Sequence, residues 1–240
     1  MSARTSPSAV SDTESVSPLT LVLVRHGVTE MTVAQRFSGS GTLGPHLNPA
    51  GRIQAAKAAD AIQRIGRDRW EALPKVTRVI ASPMNRTQDT GAALGRRTGL
   101  NVETDPRLRE VHFGSWEGLT GPEIIAADGD AISDWRSGQV AAPGGESMPD
   151  VGRRMESLLV DLAAEHAAKC VDGDEVGRSY AFATHSVAIK SCIGLSMGID
   201  ERKWNYIWPS PASLTILQLR VNRTGEIGER HLMCLGAATH

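Results

Sequence analysis

Cysteine is scarce: only Cys170, Cys192 and Cys234 occur in 240 residues, widely spaced and with no Cys-x-x-Cys pair. An odd, scattered set excludes a disulfide framework and a thiolate zinc site as organising devices, and it suits a reducing, cytoplasmic setting. An excess of one charge is missing too, since 26 Lys and Arg oppose 27 Asp and Glu for a formal net charge of -1. Composition therefore supplies no polyanion-binding face, and neither nucleic acid nor an anionic membrane is an expected partner. Long apolar runs are absent as well. The first 18 residues contain six serines and no apolar stretch, whereas a signal peptide needs an apolar core of roughly 7–15 residues. Nothing further along approaches the roughly 20 apolar residues of a membrane span. Residues 1–18 read as a disordered tail. The histidines form no His-x-His or His-Glu-x-x-His array, so no metal site is expected.

What remains is an ordinary globular composition, 40% apolar and 22% charged, in a chain long enough to bury about 70–75% of its unfolded surface without a covalent staple. Leu19 to Val24 is a nearly continuous apolar run rich in β-branched residues, the pattern of a strand covered on both faces. Val76 to Ala81 and Tyr180 to Thr184 repeat it, and Asn101 to Glu103 is a weaker candidate. Between them lie helical segments. Asn48 and Pro49 open a helix in which Ile53, Ala56, Ile62 and Ile65 share a face up to Gly66; Ser82-Pro83 caps another from Met84 to about Leu94; Ser147 caps a third. Val187 to Met197 is a fourth. Leu214–Val221 and Ile227–Leu235 flank the turn Asn222-Arg223-Thr224-Gly225 as a terminal hairpin. Alternation of strand and helix predicts a single α/β domain over residues 19–240, a three-layer α/β/α sandwich with a mostly parallel central sheet. In such sheets ligands gather where strands end and helices begin. Three strand ends here carry Arg25-His26, Arg86 and His185, a set suited to a dianionic oxyanion.

Those residues sit in longer stretches: Leu-Val-Arg25-His26-Gly27-Val-Thr29-Glu, Arg36-Phe37-Ser38-Gly39, Leu47-Asn-Pro-Ala-Gly51, Ser82-Pro-Met-Asn-Arg86-Thr, Leu108-Arg-Glu110-Val-His-Phe113-Gly-Ser-Trp116-Glu-Gly118, Pro143-Gly-Gly-Glu146-Ser147 and Ala183-Thr-His185. In order and spacing this set resembles the histidine phosphatase family in its phosphoglycerate-mutase-like branch. In look it is nearest to bacterial α-ribazole-phosphatase-like phosphomonoesterases. The resemblance implies a phosphomonoester hydrolase acting on a small phosphorylated metabolite, with no cofactor or metal, and it leaves a homodimer open. It implies His26 as nucleophile, Arg25, Arg86 and His185 as the clamp on the non-bridging oxygens, and Glu110 as general acid and base with a raised carboxyl pKa. Thr32, Ser38 and Gly39 would contact substrate. Thr32 stands where many family members have Asn, which costs one donor.

Two enzyme motifs compete. Gly39-Ser-Gly41-Thr-Leu-Gly44 satisfies the dinucleotide pattern but lies about 15 residues past its strand and runs into Pro45. Gly194-Leu-Ser196-Met-Gly198 satisfies the hydrolase elbow, with Asp200 and His231 following, yet falls inside a helix. Asp128-Gly-Asp130 and Asp172-Gly-Asp174 read as solvated turns, and His112 as a neighbour of the pocket. The rival functions are a phosphoglycerate mutase and a catalytically dead phosphoprotein-binding module. Against the first, Glu110 is followed by a short stretch and His185 by Ser186-Val187 instead of the mutase pattern; against the second, His26, Glu110 and His185 are all present.

Overall fold

The computed structural model describes residues 15–170 and 177–239. In chain order the elements are β1 (Ser15–Arg25), α1 (Glu30–Val33), α2 (Pro49–Arg64), β2 (Val76–Ala81), α3 (Asn85–Thr98), β3 (Val102–Thr104), α4 (Gly121–Asp128), α5 (Ala131–Arg136), α6 (Met148–Lys169), β4 (Arg178–Thr184), α7 (Ser186–Ser196), β5 (Leu214–Asn222) and β6 (Ile227–Ala237). Three short 3-10 turns, Pro106–Leu108, Gly114–Trp116 and Glu201–Tyr206, fill the connections. The sheet order is β3-β2-β4-β1-β5-β6. β1 to β4 run parallel, and β5 joins β1 and β6 antiparallel.

Alternation along the central strands builds two unequal cores. Leu19, Leu21, Leu23, Tyr180, Phe182, Leu217 and Leu219 face α6 and α7, whereas Val22, Val24, Ala181, Ala183, Leu214 and Ile216 face the alanines of α2 and α3. Period-two alternation with both faces covered is what a near-continuous apolar strand requires. Small residues on the second face let α3 come close: a Cβ on Gly91 would lie 2.9 Å from the Ala81 Cβ. The expected three-layer α/β/α fold with a C-terminal hairpin is the observed one.

Several local expectations are corrected. β1 begins at Ser15 rather than Leu19, and Ser17 and Pro18 pair with Val221 and Arg220, so residues 15–18 of the segment read as tail belong to the sheet; residues 1–14 lie outside the described residues. On α2, Ile53 is exposed and the buried positions are Gly51, Ala55, Ala58, Ala59, Ala61 and Ile62. Ile53 and Ile62 are nine residues apart and, at about 100° per residue, point to opposite sides. Bulk misled; the alanines mark the packed face. Ser82 does not cap α3, whose N-cap is Met84 with no side-chain bond. Ser147 caps as expected, in a reciprocal box with Asp150.

Candidate active site

β1, β4 and β2 end at one level. Arg25 pairs with Thr184 at the last ladder position, and the ladder continues past the strands through His26 N–H to the Thr184 carbonyl at 2.9 Å and Ser82 N–H to the Ala183 carbonyl at 3.0 Å. The expected residues Arg25, His26, Arg86 and His185 are thereby brought to one edge of the sheet. Gly27 turns the chain out of β1 against the start of α2, where a Cβ would meet the Gly51 carbonyl oxygen at 2.4 Å. Any side chain there would push His26 off the sheet end.

His26 Nδ1 is 2.7 Å from the Gly27 carbonyl. A carbonyl only accepts, so Nδ1 carries the proton and Nε2 bears the lone pair. Arg86 Nε donates to that Nε2 at 3.2 Å, and its Nη2 donates to the Ser38 and Gly39 carbonyls at 2.9 and 3.0 Å. The His185 ring meets His26 edge-on with centroids 5.2 Å apart, and its Nε2 lies 2.8 Å from Ser82 Oγ. Both imidazoles are held well below the usual 6.5, by burial first and by the charge of Arg86 next. Neutral His26 with an unprotonated Nε2 is the nucleophilic form. Burial lowers Arg86 to about 10, which still leaves it cationic at neutral pH. Arg25 Nη1 donates to the Pro209 carbonyl at 2.9 Å. Arg25 Nε, Arg86 Nη1 and His185 Nδ1 are buried and have no partner among the described residues. A buried donor on a charged group without an acceptor is costly, and a tetrahedral oxyanion placed against His26 Nε2 is the ligand chemistry that would satisfy such a set.

Glu110 arrives from the other side. Its Oε1 accepts from the backbone N–H groups of Val111, Val187 and Ala188 at 3.1–3.2 Å, and Oε2 shares the Val187 N–H at 3.2 Å. The carboxylate thus sits on the N-terminus of α7, directly after His185, where backbone donors and the helix dipole favour negative charge. The segment carrying it is pinned from two directions. Thr184 Oγ1 donates to the Leu108 carbonyl at 2.8 Å, and Arg154 of α6 donates to the carbonyls of Arg107, Arg109 and Glu110 at 2.7–3.0 Å. Arg154 is itself held by both carboxylate oxygens of Glu146, one of which also accepts from His112 N–H. That gives the Gly-Gly-Glu146-Ser147 stretch its use: Glu146 orients Arg154, and Ser147 starts α6.

The remaining candidates take other parts. Thr32 Oγ1 is engaged with Thr29, 3.1 Å from its hydroxyl and 3.3 Å from its backbone nitrogen, in the capping box of α1. Ser38 and Gly39 meet Arg86 through their carbonyls, and the Gly39 N–H donates to Glu117 at 2.8 Å. Glu117 also accepts from Gly41 and Phe113 N–H, so the dinucleotide-like glycines are a loop clamped by one carboxylate. Gly44, at φ +68, leaves room for Arg86, whose Nη1 would lie 2.7 Å from a Cβ there. Ser196, at the end of α7, accepts from Arg230 at 3.2 Å, and Gly194 packs on Trp204; neither forms a nucleophile elbow. Asp128 accepts from Trp116 Nε1 at 2.6 Å. Asp172 and Asp174 lie outside the described residues. His112 accepts from Gly114 N–H at 3.2 Å and borders the Gly41 loop. Among the described residues no group of three or more His, Cys, Asp or Glu could hold a metal ion, and no helix is long and apolar enough to cross a membrane.

Reading residues in sequence missed three contributors, and with them the burial of Lys190. Ser82, a cap by its sequence context, instead touches His185. Glu117 lies within the quoted Phe-Gly-Ser-Trp-Glu-Gly stretch without a role of its own. Arg154 and Lys190 are single polar positions on helices, with no motif to flag them. Lys190 is 3% exposed on α7, and burial lowers its pKa to about 8.

The comparisons agree with this geometry. The family described as histidine phosphatase superfamily (branch 1) matches residues 21–226. The glucosyl-3-phosphoglycerate phosphatase of Mycobacterium tuberculosis is 35% identical over 185 residues, 77% of this chain and 78% of that one. A native structure of the mycobacterial enzyme of that name aligns with a TM-score of 0.79 at 31% identity, covering 92% of this chain and 99% of the other. A Yersinia pestis relative named "Probable phosphoglycerate mutase GpmB" is 32% identical over 147 residues, 59% of this chain and 61% of its own. With its site geometry, family match and relatives in agreement, the chain belongs to the histidine phosphatase superfamily, branch 1, and is a phosphatase.

Proposed function

We propose that this phosphatase hydrolyses the phosphomonoester of a small metabolite through a phosphohistidine on His26, and that a glycosylated phosphoglycerate is its substrate class. One observation carries the mechanism: His26 Nδ1 is bonded to the Gly27 carbonyl, which leaves Nε2 unprotonated beside the Arg86 guanidinium. Nε2 attacks phosphorus while the bond to the alcohol oxygen breaks, and Glu110 gives that oxygen a proton. Arg25, Arg86 and His185 hold the three non-bridging oxygens, where charge sits in a loose transition state. Water, deprotonated by Glu110, then attacks phosphorus, and inorganic phosphate leaves with the imidazole restored. Oε2 of Glu110 has a single shared bond, so it is the oxygen left open toward the substrate. Ser38 and Gly39 act by fixing Arg86, and Thr32 by closing the loop after His26. The substrate class rests on the likeness to the glucosyl-3-phosphoglycerate phosphatases.

The test is chemical quench with labelled substrate. Acid-labile, base-stable phosphate should be trapped on the wild-type protein and not on His26→Ala, whose turnover should fall by many orders of magnitude. A variant keeping more than about a tenth of wild-type rate overturns the assignment. Products of 3-phosphoglycerate with catalytic 2,3-bisphosphoglycerate separate the mutase reading, which requires 2-phosphoglycerate with little inorganic phosphate.

A further inference from the structure

Lys190 has no role in the mechanism above and is expensive to bury. It is 3% exposed, yet among the described residues it is in no ion pair; its polar partner there is Asn205 Oδ1, at 3.5 Å, and its ammonium lies 5.1 Å from the centre of the Trp208 ring. An ammonium has three donors, and one long bond to an amide leaves most of that capacity unused. A methionine would fill comparable space without the desolvation cost.

Its placement points toward the phosphate clamp. Lys190 lies five residues past His185, about 7.5 Å along the helix axis, and helical side chains lean back toward the N-terminus. That direction leads to the first turn of α7, where Val187 and Ala188 hold Glu110. The charges it feels are those of Glu110, Arg25 and Arg136. Its roof belongs to the same rim: Trp208 precedes Pro209, whose carbonyl holds Arg25. Trp208 and Tyr206 are 68% and 82% exposed, so the lysine is covered by an aromatic side chain that is itself open to solvent.

We propose that Lys190, with Asn205 and Trp208 beside it, forms a second anion subsite next to the phosphate clamp that takes a carboxylate on the alcohol part of the substrate. A carboxylate two carbons from the ester oxygen is within reach of a lysine stem rooted there, and it would replace the weak amide bond by a charge-assisted one. Burial lowers the pKa of Lys190 only to about 8, so the ammonium is present at neutral pH. The selection is for acidic phosphomonoesters over neutral-alcohol ones. The inference deepens the phosphatase reading and rests on it.

A matched pair of substrates tests it. 3-Phosphoglycerate and glycerol 3-phosphate differ in a carboxylate against a hydroxymethyl group. The wild-type protein should show a kcat/KM ratio of at least tenfold in favour of the carboxylate, arising in KM. Lys190→Met should cut that ratio tenfold or more, and Lys190→Arg should restore part of it. A wild-type ratio at or below one, or a ratio unchanged in a folded Lys190→Met protein, overturns the subsite. The wild-type measurement decides even if the methionine variant does not fold. Failure of the wild-type protein to hydrolyse any phosphomonoester, para-nitrophenyl phosphate included, would instead strike the reading on which the subsite rests.

Discussion

Two histidines and one arginine govern the site at the scale of single residues. Because burial holds His26 and His185 well below 6.5 in the folded chain, the unfolded chain binds more protons below that pH. Stability attributable to them is present above pH 6.5 and is lost as pH falls toward the folded values. The proposed nucleophile, His26, by contrast stays neutral through that window. kcat/KM on para-nitrophenyl phosphate at pH 5.5 should therefore remain within about threefold of its value at pH 7, whereas a nucleophile titrating at 6.5 would lose about tenfold. A pH profile with an acid limb at 6.5 contradicts the buried neutral imidazole. Arg154 acts at one remove, since three carbonyls of the Glu110 segment depend on its guanidinium. Arg154→Met should cost about 2–3 kcal/mol of stability by leaving Glu146 unpaired. It should also lower kcat on alkyl phosphates at least tenfold more than on para-nitrophenyl phosphate, whose leaving group scarcely needs a proton. Lysine should not rescue it, because a point charge cannot reach several carbonyls at once. Equal losses on both substrates would limit Arg154 to a structural part.

At the scale of elements, the start of β1 matters more than its composition suggests. Ser17 is buried, its hydroxyl lies 2.9 Å from His166 Nε2 and 3.0 Å from Cys170 Sγ, and its backbone pairs with β5. Removing residues 1–17 should lower Tm by at least about 3 °C, since one buried hydrogen bond is worth about 1 kcal/mol and each kcal/mol shifts a domain of this size by about 2–4 °C. An unchanged melting curve would mean that the paired serine contributes nothing. Serines on an edgeless stretch read as tail; pairing with a strand some 200 residues away in the chain made them sheet. The same contrast runs through α2, where alanine rather than isoleucine marks the buried face.

The whole molecule carries a cationic site that its neutral net charge conceals. Arg86 is buried and Arg25 partly buried, among the described residues neither has a carboxylate partner, and three buried site nitrogens are unmatched. A ligand that satisfies them binds the folded state alone, so phosphate or vanadate at about 100 times its Kd should add about 2.7 kcal/mol and raise Tm by roughly 5–10 °C. Sulfate-free chloride at equal ionic strength should not. EDTA should leave both the shift and turnover intact; loss of activity restored by a divalent ion would overturn the metal-free chemistry. A Tm indifferent to vanadate would mean that the guanidiniums serve only the fold.

The sequence alone determined the layers and the strand ends, because a strand covered on both faces must be apolar throughout and a βα turn must carry caps and glycines. Arg25, His26, Arg86, Glu110 and His185 were legible for that reason and through their ordered resemblance. Thr32, Ser38 and Gly39 were legible as neighbours of the site but not in their contacts, which depend on which atom of each residue faces Arg86 or Thr29. Arg154, Ser82 and Lys190 were decided by tertiary structure. Arg154 and Ser82 belong to elements distant in sequence from the residues they touch, and a lone polar side chain such as Lys190 reads as surface until packing buries it. Local patterns encode the period of an element and the chemistry at its end; which far element comes to lie against that end is fixed only by long-range burial.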